Sequence, residues 1–288
     1  MTRRRALPLL LLALLPAFAG AHGARPLPFY YDVYTFRGAN GTTDVVAAFS
    51  VPAGRLESER VSRRTRYRFD VSLILTDPAR DTVIRTDDSV YVEVRRPLDG
   101  DHLLFTQIEV AAPPVPMEQR VIMSDATTPG IGQLYTDDIR IPSYAGDSLM
   151  LSDIALGQPE QPGGWQRGAV AVALLPTERF PGNEFDVFYE VYNLPPGSDY
   201  RTEIAVERID ARGNPLENTR AAVRFRGDAT TRGGVMAELR RLHTSLARGK
   251  HRITVTVTDV ASGASATRSR LFTVRDDARA TMVPALPR

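Results

Sequence analysis

The sequence predicts an all-β protein, built as two tandem immunoglobulin-like β-sandwich domains behind an N-terminal signal peptide. Three observations support this class. Apolar and polar residues alternate with a period of two along many short segments, and turn-forming Gly, Pro, Asn and Asp residues separate those segments. The crossover helices that a parallel α/β fold requires are missing from the pattern.

The first 21 residues have the pattern of an export signal. Three arginines at positions 3–5 precede an apolar stretch at 6–19, which is shorter than the roughly 20 residues needed to span a bilayer. Small residues follow, so we expect cleavage after Ala19 or Ala21 and a periplasmic or secreted mature protein. No later stretch is long and apolar enough to predict an integral membrane segment.

Composition narrows the function classes. The formal net charge of +2 becomes −1 once the three signal arginines are removed, so no global charge favours a nucleic-acid partner. Cysteine is absent, which excludes disulfides, thiolate metal sites and a cysteine nucleophile. Stability must therefore come from hydrophobic cores, and about 265 mature residues are enough for two self-sufficient ones.

The individual strands are predicted from alternation. The odd positions of residues 69–75 are all apolar, and the arginines of residues 220–226 share one face. Residues 253–258 place Ile253, Val255 and Val257 opposite three threonines. Each such segment is typical of a strand that packs one face on a core and exposes the other to water.

One segment is ambiguous between strand and helix. Across residues 235–246, Val235, Leu239 and Leu242 fall at the spacing of a helical stripe, yet Val235 and Leu239 also fit an alternating strand. We favour a strand followed by a short turn, with a helix as the alternative.

A Gly- and Pro-rich stretch at 157–165 is the plausible linker. It divides the mature chain into a first sandwich at 24–156 and a second at 166–276, and residues 277–288 are predicted to form a flexible C-terminal tail. The two halves show a weak internal repeat, in which an early aromatic strand precedes a long hairpin and a further hairpin.

Three segments carry a family resemblance. They are YDVY at 31–34 running to FSVP at 49–52, LSDIAL at 151–156, and FYEVYNL at 188–194. In order and spacing they resemble the β-rich, Ig-like region of bacterial GWxTD-domain proteins. The motif that names that family is absent, and the nearest string is GQLYTD at 132–137. The resemblance implies an exported pair of β-sandwiches from a bacterial envelope, and it implies no enzymatic activity.

Candidate catalytic and metal sites are few. The G-x-S-x-G, P-loop, dinucleotide, H-E-x-x-H and C-x-x-C patterns are all absent, so we predict no enzyme, no cofactor and no metal. One alternative is a copper-dependent polysaccharide oxidase, in which an N-terminal His22 and His102 would bind the metal. Another is a calcium ion held by aspartates in loops, where pairs occur at 87–88, 99 and 101, 137–138 and 276–277. The remaining histidines, His243 and His251, are expected at solvated tips or turns.

Aromatic residues give the strongest binding signal. In residues 185–192, four apolar side chains alternate on one face, while Phe188 and Tyr192 lie on the other beside two acidic residues. Residues 29–36 show the same two-sided pattern. Such a second face is covered by a partner domain, another subunit or a ligand. Phe188, Tyr192 and Trp165 are therefore the candidate site, as an aromatic binding surface or as the junction between the domains.

The sequence thus favours a non-enzymatic envelope or periplasmic protein that acts as a protein-interaction or structural module. A protein partner in the cell envelope is expected. The alternative is a carbohydrate-binding module, with a glycan as the ligand of the aromatic residues.

Overall fold

The computed structural model describes residues 25–158, 164–229 and 234–275, together with the backbone of 282–284. The strands in these residues, in chain order, are β1 (Arg25–Pro26), β2 (Tyr30–Arg37), β3 (Thr43–Pro52), β4 (Ser58–Val61), β5 (Arg64–Asp77), β6 (Thr82–Val94), β7 (Leu103–Ala112), β8 (Pro116–Asp125), β9 (Ile131–Arg140), β10 (Met150–Leu151), β11 (Ala155–Gln158), β12 (Trp165–Arg167), β13 (Val170–Leu174), β14 (Glu184–Tyr192), β15 (Asp199–Arg208), β16 (Ala221–Asp228), β17 (Val235–His243), β18 (Gly249–Asp259), β19 (Ser265–Val274) and β20 (Met282–Pro284). Two short 3₁₀ turns, Ala39–Gly41 and Ala53–Arg55, flank β3. The predicted all-β class is confirmed.

The strands form four sheets. The first sheet contains β1, β9, β8 and β5, with β4 and β6 also paired to β5, and the second contains β2, β3, β7 and β20 in that order. The third runs β10-β14-β11-β13-β12 with β17 on the other side of β14, and the fourth runs β16-β15-β18-β19. Pairing between the named strands is antiparallel except for β1 with β9 and β7 with β20.

Three hydrophobic clusters separate the four sheets. One lies between the first and second sheets and includes Phe49 and Phe69, and another lies between the third and fourth sheets and includes Tyr189 and Val255. The smallest cluster joins the second sheet to the third. The sheets therefore stack in four layers, in which the second and third are covered on both faces.

The double coverage follows from the sequence of the inner strands. Nearly every residue of β3 and β14 is buried, because each strand has apolar side chains on both faces. By contrast, β5 buries every second residue, since only one face of its sheet meets a core. The two-sided pattern of residues 29–36 and 185–192 is thus a property of inner layers.

Local turn chemistry agrees with the strand boundaries. Asn40 and Gly41 both have positive φ, at 52° and 78°, and they connect β2 to β3. Gly263, with φ 72°, lies in the turn between β18 and β19. Asn and Gly tolerate this region because they lack the steric conflict of branched side chains.

The structure corrects three boundaries. Residues 157–165 are not simply a linker, because Gly157 and Gln158 belong to β11 and Trp165 begins β12, while residues 159–163 lie outside the described part. Strands β10 and β11 precede that stretch but pair with β14 of the third sheet. Within the expected flexible tail, 282–284 form β20 and pair with β7, so this part of the tail is ordered by backbone hydrogen bonding.

The ambiguous segment is resolved as a strand. Residues 235–243 form β17, which pairs with the whole length of β14. Met236, Glu238 and Leu242 are buried, whereas Ala237 and Leu239 are exposed. The helical spacing of Val235, Leu239 and Leu242 does not decide the structure, because this segment makes its backbone hydrogen bonds to β14 along its whole length and so forms a strand.

Within the described residues, no helix is long and apolar enough to span a membrane. Residues 1–24, which contain the predicted export signal, are outside the described part.

Candidate functional site

The aromatic residues singled out in the sequence meet at the junction of the second and third sheets. Phe36 from β2 lies against Trp165 from β12 and Phe188 from β14, with ring centroids 4.8 and 5.8 Å apart. The rings of Trp165 and Phe188 meet edge to face at 5.5 Å. Around them pack Tyr34, Val46, Ala48, Ala155, Val172 and Leu174. All three rings are buried, so they form a sheet-to-sheet core.

Arg167 is the centre of a charged network beside this core. Its Nη1 donates to Asp44 Oδ2 at 2.6 Å and its Nε to Glu190 Oε1 at 2.9 Å. Its Nη2 donates to the carbonyl oxygen of Arg37 at 2.7 Å. Burial lowers the pKa of Arg167, but Glu190 and Asp44 outweigh that effect and raise it overall. A guanidinium bound by two carboxylates stays charged, and it holds β3, β12 and β14 in one geometry.

Tyr192 completes the network. Its hydroxyl donates to Glu190 Oε2 at 2.7 Å and accepts from the backbone N–H of Arg37 at 2.8 Å. The Arg37 guanidinium carbon lies 4.3 Å from the ring centroid. Burial, and next the charge of Glu190, raise the pKa of Tyr192. The hydroxyl therefore remains protonated and serves as a fixed donor.

A second ion pair connects the outermost sheet to the junction. Arg270 of β19 points inward and donates through Nη2 to Asp32 Oδ1 at 2.8 Å. Its guanidinium carbon lies 3.9 Å from the Tyr34 ring centroid. Asp32 also accepts from the backbone N–H and the hydroxyl of Thr177, at 2.8 and 2.6 Å. Burial raises the pKa of the Tyr34 phenol, and Arg270 partly opposes this.

The junction is thus a closed structural site. Trp165 satisfies its indole N–H by donating to Glu109 Oε2 at 2.9 Å. Glu190 has a side chain that is only 5% exposed, and both of its oxygens are bound. An aromatic binding surface open to a ligand is incompatible with this burial, since a ligand would have to separate two sheets to reach the rings.

Sequence reasoning located the aromatic residues but missed their charged partners. Arg167, Asp44, Asp32 and Arg270 were not singled out. The buried acids could have been found from the sequence, because Asp32 and Glu190 interrupt otherwise apolar inner strands. Such a carboxylate must be paired when it is buried.

The histidines and aspartate pairs do not assemble into a site. His22 lies outside the described residues, and His102 lies just before β7. His243 is exposed, as expected, but His251 is buried in β18, where its ring stacks on Phe272 at 5.4 Å. Burial lowers the pKa of His251, so it is a neutral core residue and not a solvated tip. Asp87 pairs with Arg85, and Asp276 and Asp277 lie outside the described part. Among the residues described, no three or more His, Cys, Asp or Glu side chains converge as metal ligands.

A depression lies on the outer face of the fourth sheet. It has a volume of about 460 Å³ and is lined by Arg201, Thr202, Glu203, Arg224, Phe225, Arg226, Thr256 and Thr258. Arg201 and Arg226 are directly opposite on β15 and β16, and neither has an ion pair in the described chain. Arg224 is 77% exposed and pairs with Glu203. We call Arg201, Arg224, Arg226, Thr256 and Thr258 the arginine face.

Comparisons with known proteins identify no family for this chain. No protein-family model matches it, and none of the curated proteins compared with it is similar. Among solved structures it is similar to a transglutaminase from red sea bream, with 7% identity and a TM-score of 0.23, covering 85% of this chain and 31% of that one. Two β-glucuronidase structures from Bacteroides uniformis match with 8% and 9% identity and TM-scores of 0.28, covering 85% and 81% of this chain and 28% and 26% of theirs. The chain therefore spans less than a third of each, and these similarities carry no functional argument.

Proposed function

We propose that this is a non-enzymatic, exported protein of the cell envelope that acts as a rigid protein-interaction module. The observation that carries the proposal is the closed junction. The Arg167 network and the aromatic core fix the second sheet to the third, and that arrangement suits a spacer or scaffold better than a hinged, substrate-enclosing site. The export signal and the resemblance to the β-rich region of GWxTD-domain proteins support the same location and role.

The arginine face is the surface on which a partner would bind. Like charges directly opposite one another on neighbouring strands are destabilising. Arg201 and Arg226 form such a pair, so the fold carries a cost that an acidic partner would relieve. The carbohydrate-binding alternative depended on exposed rings at Trp165, Phe188 and Tyr192, and all three are buried.

Site-specific photo-crosslinking in cells tests this proposal. A photoreactive residue at Thr258, on the arginine face, should give a defined adduct with an envelope protein. The double variant Arg201→Ser/Arg226→Ser should reduce its yield. A photoreactive residue at the exposed Thr82 of β6 is the control. Equal yields at both positions, or an adduct indifferent to the arginines, would count against the arginine face. Retention of the protein in the cytoplasm would count against the envelope role.

A further inference from the structure

A groove lined by acidic residues lies beside the ion pair of Asp32 with Arg270 and includes Asp137 and Asp138. It has a volume of about 350 Å³ and is bounded by β2, β8, β9 and the loop after β13. Its lining residues are Tyr31, Asp32, Val33, Gln119, Asp137, Asp138, Ile139, Thr177 and Glu178. Among the carboxylates that border it, Asp32 is neutralised through Arg270. Asp138 follows Asp137 in β9, so its carboxylate lies on the other face of the first sheet. Within the described chain, Asp137, Asp138 and Glu178 form no ion pair, although arginine is abundant.

The floor of the groove contains an unsatisfied acceptor. Gln119 is only 6% exposed, and its Oε1 is buried without a hydrogen-bond partner. Gln119 of β8 lies directly opposite Asp137 of β9, so the two side chains share one face of the first sheet. The buried Gln119 oxygen is unfavourable without a donor, because a buried polar group that lacks its partner loses its hydration without compensation. A ligand rich in donors would satisfy Gln119 and would also bind the exposed carboxylate of Asp137.

Tyr31 forms an aromatic wall beside these acceptors. Its ring stacks on that of Tyr135 with centroids 5.6 Å apart. Burial raises the pKa of Tyr31, and the charges of Asp137 and Glu178 raise it further, while a side-chain hydrogen bond from Gln119 opposes them. The negative potential of the groove thus reaches the phenol. Aromatic faces pack well against alkyl chains and attract cations.

The arrangement of acceptors selects among cations. Gln119, Asp137 and Glu178 come from three separate elements, β8, β9 and the loop after β13. An ammonium group is a compact charge whose three donors can turn toward three separate acceptors, whereas the donors of the larger, planar guanidinium have fixed directions. The carboxylates of the groove do not form a three-ligand metal cluster in the described part of the chain. We propose that this groove binds a primary ammonium group on a short alkyl chain, as found in linear diamines and in lysine side chains.

Titration calorimetry with the purified chain tests the proposal. The probes are cadaverine, which is a free diamine, and Nα-acetyl-lysine methylamide, which presents the same ammonium as a side chain. Agmatine and calcium chloride are the competing guanidinium and metal probes. We expect saturable binding of at least one ammonium probe at concentrations up to about 10 mM, weakened by added salt.

The variants make the result specific. Asp137→Asn should weaken ammonium binding about tenfold, since it removes a charge-assisted hydrogen bond. Gln119→Leu should weaken it about threefold, because a neutral acceptor contributes less. Asp88→Asn is the matched control. Asp88 is an exposed acid of the first sheet that lies on the other edge strand, β6, and it should leave affinity unchanged.

Binding of cadaverine and the lysine probe with similar affinity would assign the site to free amines as well as side chains. Binding of the lysine probe alone would assign it to the side chain of a partner. Tighter binding of agmatine or calcium, no saturable binding of either ammonium probe, or equal affinity in Asp137→Asn and the parent chain would overturn the proposal. Circular dichroism of each variant separates loss of binding from loss of fold.

Discussion

The junction between the second and third sheets and the arginine face of the fourth sheet both contain arginines beside carboxylates, but they differ in solvent access. At the junction, the side chain of Arg167 is 17% exposed, and its guanidinium is bound by Asp44, Glu190 and the carbonyl oxygen of Arg37. On the arginine face, Arg224 is largely exposed, and Arg201 and Arg226 oppose each other with no carboxylate bound among the residues that the structure describes. The same residue type therefore holds the stack together in one region and presents charge to solvent in the other.

Truncating a junction ring should have the largest effect on stability. Phe188→Ala removes a fully buried ring that packs on Phe36 and Trp165. We expect the free energy of unfolding, measured by urea denaturation, to fall by about 3–5 kcal/mol. The exposed Leu271→Ala of β19 is the control and should change it by no more than about 0.5 kcal/mol. A small loss at Phe188 would mean that the junction is not tightly packed.

Breaking the charged network around Arg167 should have the next largest effect on stability. Arg167→Met leaves Glu190 and Asp44 without their partner, and we expect a loss of about 3 kcal/mol. The matched surface variant, Arg224→Met, breaks an exposed pair with Glu203 and should cost at most about 1 kcal/mol. Adding Glu190→Gln to Arg167→Met should recover part of the loss, since the uncompensated charge is removed. Equal costs for the two single variants would contradict the assigned difference between the regions.

His251 gives the protein a pH dependence of stability. Because burial holds the pKa of its folded form below the usual histidine value of about 6.5, the unfolded chain binds the proton more readily. This histidine should therefore leave stability unaffected well above that value and lower it as the pH falls through and below it. Melting temperatures between about pH 7.5 and 5 should fall less steeply for His251→Asn than for the parent chain.

The exposed His243→Gln is the comparison for that series. If its melting temperatures fell with the same slope as those of His251→Asn, the pH dependence would not arise from His251.

The smallest predicted effect is a gain in stability. Arg226→Thr removes the repulsion with Arg201 and places a residue suited to strands in β16, so stability should rise by about 0.5 kcal/mol. The same change should weaken the crosslink at Thr258, which separates a binding role for the arginine from a structural one. Stabilisation with an unchanged crosslink yield would show that Arg226 does not contact the partner.

Sequence alone identified most strands because period-two alternation is a local property. Ile253, Val255 and Val257 are buried as the pattern predicted, and the opposing threonines face solvent. It also identified the double-sided strands, since Phe188 and Tyr192 oppose the core-facing residues of β14. It could not assign β10 and β11 to the third sheet or pair β20 with β7, because strand pairing depends on contacts between distant segments.

What the sequence determined by itself is the all-β class, the positions of the inner strands and the demand that their second faces be covered. Tertiary structure decided what covers them. Arg167 and Asp44 are 123 residues apart and Asp32 and Arg270 are 238 apart, so no local pattern links them. The physical reason is that burial of a charge is acceptable only with its partner in place. The stacking of four sheets brings those partners together.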